Sequence, residues 1–132
     1  MMNYTLRIVL LTLIAVGLYG ALSVSYSTVT GSSPCPNVVG VPACFVVLAG
    51  YSLMLAAALL QPADKFKAVF LLGWLPVFLL AATGTVFELS NGNTCPKSDS
   101  GLALCYVSLS FSVVVALLYF FYLKLMEKST SC

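Results

Sequence analysis

The sequence contains no histidine. Without imidazole, histidine-dependent nucleophilic triads, imidazole metal sites and histidine ligation of haem are all excluded. Charge is nearly as scarce: Asp, Glu, Lys and Arg make up 8% of the 132 residues, where a soluble domain carries roughly a quarter. So few charges cannot wet a globular surface, and with 61% hydrophobic residues the composition is that of a membrane protein. Carboxylates are missing from the middle of the apolar runs: Glu88 ends the third, Asp99 follows it, and Asp64 and Glu127 lie near the opposite ends. Proton relays and ion paths keep ionisable groups inside their spans, so the pattern argues against coupled transport. No glycine-rich phosphate loop is present. The net charge of +2 does not point to nucleic acid.

What the sequence does have is long apolar runs, at 6–26, 41–60, 66–87 and 102–123. Each is about the 20 residues that a helical span requires. The runs are continuous, whereas barrel strands alternate and are only about ten residues long. The expectation is an all-α integral membrane protein, a bundle of four transmembrane helices forming a single membrane domain in the lipid bilayer. A secretory signal is a shorter apolar run ending at a small-residue cleavage site. The first run is therefore read as a retained helix. Arg7, Lys65, Lys67, Lys124 and Lys128 cluster at the ends that an even number of spans puts on one side, with Lys97 alone on the other. Because basic residues near span ends are held in the cytoplasm, both termini are expected there and both cysteine loops are expected outside.

Laying "RIVLLTLIAVGLYGALSVSYSTVTGSSPCP" from Arg7 over "KAVFLLGWLPVFLLAATGTVFELSNGNTCP" from Lys67 needs no gap. Arg7 meets Lys67, Ala21 meets Ala81, and Cys35-Pro36 meets Cys95-Pro96; one inserted residue later Cys44-Phe45-Val46 meets Cys105-Tyr106-Val107. Leucines match in any two spans, so the cysteines and CP dipeptides carry the weight. Fixed-period self-similarity marks repeated units, here 1–62 and 63–132, each a helix, a cysteine loop and a helix. Since each unit crosses twice, the repeats are expected to be parallel about an axis along the membrane normal. Small residues let helices approach in lipid. Gly17, Gly20, Ala21, Ala49, Gly50, Ala81, Ala82 and Gly84 supply such faces, and the fourth span offers Ser108, Ser110 and Ser112. Pro76, in mid-span, is expected to kink the third helix.

Cys35, Cys44, Cys95 and Cys105 belong to the outer loops, in a compartment that permits disulfides, and Cys132 to the reducing side. No metal is expected, because the pairs lack the close ligand spacing of zinc knuckles. Pairing within each loop is the simplest of the three connectivities open to four cysteines. Two uses of such bridges compete. As a staple, a bridge closing about ten residues adds somewhat under ~3 kcal/mol by narrowing the unfolded ensemble. As a redox pair, Cys44 and Cys105 fall near helix N-termini, where the helix dipole favours thiolate. A thiolate there can exchange disulfides with an outside partner and pass electrons to a quinone in the bilayer. Phe45, Tyr106 and Phe111, with Tyr26 and Phe87, are candidates to line a pocket for the quinone ring, or to serve as interfacial packing.

"GVPACFVVLAGYSLMLAAALL" from Gly40, with "AATGTVFELSNGNTCP" and "ALCYVSLSFSVVVAL", resembles the vitamin K epoxide reductase family and the similar bacterial disulfide-forming quinone reductases. The resemblance implies a four-helix bundle in which a Cys-x-x-Cys at a helix mouth faces the quinone and a second loop pair shuttles electrons. Cys105 matches the second cysteine of that motif; Leu102 stands at the first, so Cys95 takes the partner role. Cys35 matches the shuttle cysteine, and Cys44 follows the Gly-Val-Pro turn. The expectation is a thiol–disulfide oxidoreductase with Cys95/Cys105 on the quinone side and Cys35/Cys44 facing an extracytoplasmic thioredoxin-like partner. The alternative is a non-catalytic subunit or scaffold with two stapled loops, docked in a larger membrane complex.

Overall fold

The computed structural model describes residues 2–32, 35–60, 64–93, 95 and 97–131. The chain order is α1 (Met2–Val29), β1 (Asn37–Val38), β2 (Val41–Pro42), α2 (Ala43–Leu59), α3 (Asp64–Asn91) and α4 (Leu104–Thr130). The bundle is all-α apart from the small hairpin in the first cysteine loop. α1, α3 and α4 are long and apolar enough to cross a membrane, which places the chain there. At 17 residues, α2 is shorter than the expected run and stands at the lower limit for a span. Pro76 lies inside α3, which continues through it as one helix. Cys132 and Pro96 lie outside the described residues.

The helices pack in a ring, α1 on α2, α2 on α3, α3 on α4 and α4 back on α1. The α2–α3 seam is close because neither crossing residue has a side chain. A Cβ on Gly73 would lie 2.7 Å from the Gly50 carbonyl oxygen, and one on Gly50 would lie 2.6 Å from that of Gly73. α1 and α3 both stop at a glycine in the left-handed region, Gly31 at φ 78° and Gly92 at φ 76°. At the first of these the Ser32 N–H donates to Ser27 O and the Gly31 N–H to Thr28 O, closing a Schellman motif; at the second the Gly92 N–H donates to Glu88 O. The same device therefore turns each half of the chain into its cysteine loop.

The interior is divided along its length. Leu10 and Ile14 of α1, Tyr51, Met54 and Ala57 of α2, Phe70 and Val77 of α3, and Val115 and Tyr119 of α4 form the hydrophobic core. They run from the end of the bundle that holds the N-terminus of α1 and the C-terminus of α4 to about the middle of the helices. Phe70 and Tyr119 stack there with ring centroids 3.7 Å apart, and Arg7 Nη2 donates to the Leu59 carbonyl at the foot of α2. Toward the cysteine loops the same helix faces switch to Gly17, Ala21, Ala81 and Gly84. Tyr51 and Phe111 close on Gly17 and the second disulfide closes on Gly84, while beside Gly20 a Cβ would meet nothing and the packing opens.

Candidate functional site

Each cysteine loop is built so that its cysteines face one another. In the first, Asn37 pairs with Pro42 and Val38 with Val41 across an antiparallel ladder. The Ala43 N–H extends the ladder by donating to Pro36 O at 3.0 Å, which sets Cys35 opposite Cys44. The turn is Val39-Gly40, with φ of 53° and 82°, the left-handed pair of a two-residue hairpin. Val39 is β-branched and carries local strain in that conformation. In the second loop a bridge pair, Lys97 with Ala103, sets the register that puts Cys95 opposite Cys105. The turn there is closed by the Gly101 N–H donating to Ser98 O at 2.8 Å.

Both pairs are disulfide-bonded, Cys35–Cys44 with Cα atoms 6.3 Å apart and Cys95–Cys105 with 6.1 Å. Of the three connectivities open from sequence, the within-loop one forms. Cys44 and Cys105 are each the second residue of their helix, α2 and α4. Their backbones sit in the first turn, where the N-terminal partial positive charge favours an anion.

The bridges share one cavity of about 610 Å³, between the hydrophobic core and the cysteine loops. All four helices contribute, through Gly17 and Ala21 of α1, Val47 and Tyr51 of α2, Ala81 and Gly84 of α3, and Ser108 and Phe111 of α4. Cys35, Cys44, Cys95 and Cys105 all lie on its wall. The lining is apolar with a few hydroxyls, those of Thr83, Tyr51 and Ser108. Val16, Gly20, Thr83 and Phe87 line the cavity yet remain exposed, so it opens through the side of the bundle. Its size and chemistry are those of a site for a small apolar ligand held by a few polar contacts.

The inner bridge is the more deeply seated of the two. Cys95 is 7% exposed, and its Sγ lies 3.6 Å from the Gly84 carbonyl oxygen. A Cβ on Gly84 would come within 2.8 Å of Cys105 Sγ and 3.3 Å of Cys95 Sγ. Only glycine lets the bridge rest on the α3 backbone. Glu88, one turn on, folds back over the loop and accepts the Cys95 N–H at 3.0 Å.

Of the aromatics expected around a ring pocket, Phe111 and Phe87 line the cavity. Tyr106 lies instead along a shallow outer hollow with Val107, Ser110, Phe111 and Val114. Phe45 and Tyr26 are on the outer surface of the bundle. Phe45 and Tyr106 each follow a wall cysteine by one residue, and a helix turns about 100° in that step. Tyr51 was not among the expected site residues. Its signal was spacing, since Cys44, Val47 and Tyr51 follow one helix face, as do Cys105, Ser108 and Phe111.

Comparison with protein-family models, curated proteins and solved structures gave no match for this chain. Among the described residues no group of histidine, cysteine or carboxylate side chains is placed to hold a metal ion.

Proposed function

We propose that the protein is a membrane thiol–disulfide oxidoreductase that passes electrons from an extracytoplasmic dithiol to a quinone-type acceptor in the bilayer. The observation that carries this reading is a cavity walled by both disulfides and open through the side of the bundle. A pair of staples has no need of such a chamber. Cys35–Cys44, in the hairpin loop, faces a thioredoxin-like partner; Cys95–Cys105, deeper and against α3, faces the acceptor. Phe111 stacks on the quinone ring, with Phe45 and Tyr106 at the helix mouths.

The chemistry balances as two-electron steps. A dithiol of the partner attacks Cys35–Cys44, the S–S bond breaks, and the partner leaves as a disulfide with both electrons transferred. Exchange then reduces Cys95–Cys105 and re-forms Cys35–Cys44. Finally the inner dithiol gives two electrons to the quinone, which takes up two protons to become the hydroquinone as the inner S–S bond re-forms. Orientation follows from charge, with Arg7, Lys65, Lys67, Lys124 and Lys128 holding one end of the bundle in the cytoplasm and the cysteine loops outside. Residues 1–62 and 63–132 are taken as two parallel repeats whose bridges have acquired different tasks.

The test is stoichiometric. The protein in liposomes is reduced, freed of reductant and mixed anaerobically with a short-chain quinone. One hydroquinone per Cys95–Cys105 bridge re-formed, lost in Cys105→Ser, supports the reading. Absence of hydroquinone from fully reduced protein rejects it in favour of a scaffold with stapled loops.

A further inference from the structure

The two halves place the same elements around their bridges but different chemistry at one position. Laying Arg7 over Lys67 puts Thr28 over Glu88. The Thr28 hydroxyl lies 4.0 Å from Cys44 Sγ, so the outer bridge meets a neutral group there. At the inner bridge the group is a carboxylate, 8% exposed, whose Oε2 accepts the Cys95 N–H at 3.0 Å while Oε1 lies 4.0 Å from Lys97 Nζ. Lys97 is half exposed and also donates to Gly92 O and Asn93 Oδ1. The stretches of α1 and α2 that wall the cavity carry no charged side chain, Tyr51 being their titratable group, and α4 adds Cys105. A neutral acceptor would tie down the Cys95 N–H equally well. A buried charge at the end of a span is costly, and the first half of the chain builds its bridge with Thr28 at the matching position and no charge there.

Resting on the reading of the inner bridge as redox-active, we propose that Glu88 is a positioning residue that makes the two sulfurs of that bridge unequal. It holds Cys95 against Gly84 and keeps its sulfur protonated when the bridge opens, leaving the thiolate to Cys105 in the first turn of α4. The carboxylate opposes a second negative charge beside it. The Gly84 carbonyl, 3.6 Å from Cys95 Sγ, accepts from a thiol S–H and repels a thiolate. Reduction by an external dithiol then breaks the S–S bond and closes the reagent to its own disulfide. One proton stays on Cys95, Cys105 is left as thiolate, and the other proton enters solvent.

The experiment isolates Cys95 as a single thiol in Cys105→Ser, with Cys132→Ser added in every background and Cys35–Cys44 intact, and measures its reaction with methyl methanethiosulfonate across pH. Adding Glu88→Gln keeps an oxygen to accept the Cys95 N–H but removes the charge. The rate near neutral pH should rise about tenfold and converge with the parent at high pH. Glu88→Asp, which keeps the charge, should retain the slow profile. In the reciprocal Cys95→Ser background, Glu88→Gln should move the Cys105 profile far less. Superimposed profiles for Glu88 and Gln, or an Asp variant that behaves like Gln, would overturn the proposal. A role confined to folding moves the unfolding midpoint of Glu88→Gln and leaves the pH profile in place, which also overturns it. No electron acceptor enters this assay, so its result is independent of hydroquinone production, which tests the oxidoreductase reading separately.

Discussion

Two glycines on one face of α1 separate a chamber that binds a ligand from a gap left by loose packing. A Cβ on Gly20 would meet nothing within 4 Å, although Gly20 lines the cavity. A Cβ on Gly17, one turn earlier, would lie 2.6 Å from Tyr51 Cε1 and 2.9 Å from Phe111 Cε1. Gly20→Leu therefore adds an isobutyl group to open space and replaces a helix-interior glycine, which costs roughly 1 kcal/mol relative to a good helix former. The expected change is a gain in stability of about 0.5–1 kcal/mol. Gly17→Leu must push two rings aside, and overpacking of that kind costs about 1–3 kcal/mol. Equilibrium unfolding in mixed micelles, with both disulfides verified, reads the two signs. The functional outcome runs the other way: Gly20→Leu, the more stable variant, should lose quinone-dependent reoxidation of the inner bridge by about tenfold or more, equivalent to ~1.4 kcal/mol of acceptor binding. If Gly20→Leu is well folded and reoxidises at the parental rate, the cavity is not where the acceptor binds.

Other substitutions probe single contacts. Gly84→Ala sets a methyl group against both sulfurs of the inner bridge and should cost about 1–3 kcal/mol; it should also change the dithiol concentration needed to open that bridge while leaving Cys35–Cys44 unaffected, as alkylation and mass mapping would show. Tyr51→Phe removes a hydroxyl from the cavity wall. It should leave both disulfides and the fold in place and should slow hydroquinone formation, as the same liposome assay would show. Replacing both Cys35 and Cys44 by Ser opens the hairpin loop and should lower stability by about 2–3 kcal/mol. That variant should lose exchange with a partner dithiol yet keep quinone-dependent reoxidation of a chemically reduced inner bridge.

The helices and the positions of the four loop cysteines were legible in the sequence because each rests on local or repeated information. Continuous apolar runs set the four helices, and the self-alignment that laid Cys35 over Cys95 and Cys44 over Cys105 made within-loop pairing the simplest of three connectivities, which the loop registers then select. The interior was harder to read. In a soluble bundle the buried stripe stands out against polar residues, but here the lipid-facing side is just as apolar: Leu72, Leu75 and Leu79 are exposed on α3, while Phe70 and Val77 are buried. Neither aromatic identity nor nearness to a cysteine said which rings turn inward, so Phe45 was expected at the pocket and Tyr51 was not. The close approaches at Gly50–Gly73 and Gly84–Cys105 involve residues distant in sequence and exist only once the ring of helices has closed. Glu88 was visible as an acid at the end of a span, but its fold back onto the Cys95 N–H depends on the Gly92 turn that reverses the chain.

Redox lability of the cavity bridge is the most direct test of the account. The native protein in its membrane is equilibrated with graded dithiol buffers, and the reduced cysteines are alkylated and mapped. Cys95 and Cys105 should become labelled as a pair while the bundle remains folded, at a potential above the range of about −300 mV and lower that marks structural disulfides, and should lose that labelling when quinone is added. If Cys35–Cys44 and Cys95–Cys105 both resist reduction until the helices unfold, the bridges are staples and the cavity has no part in electron transfer.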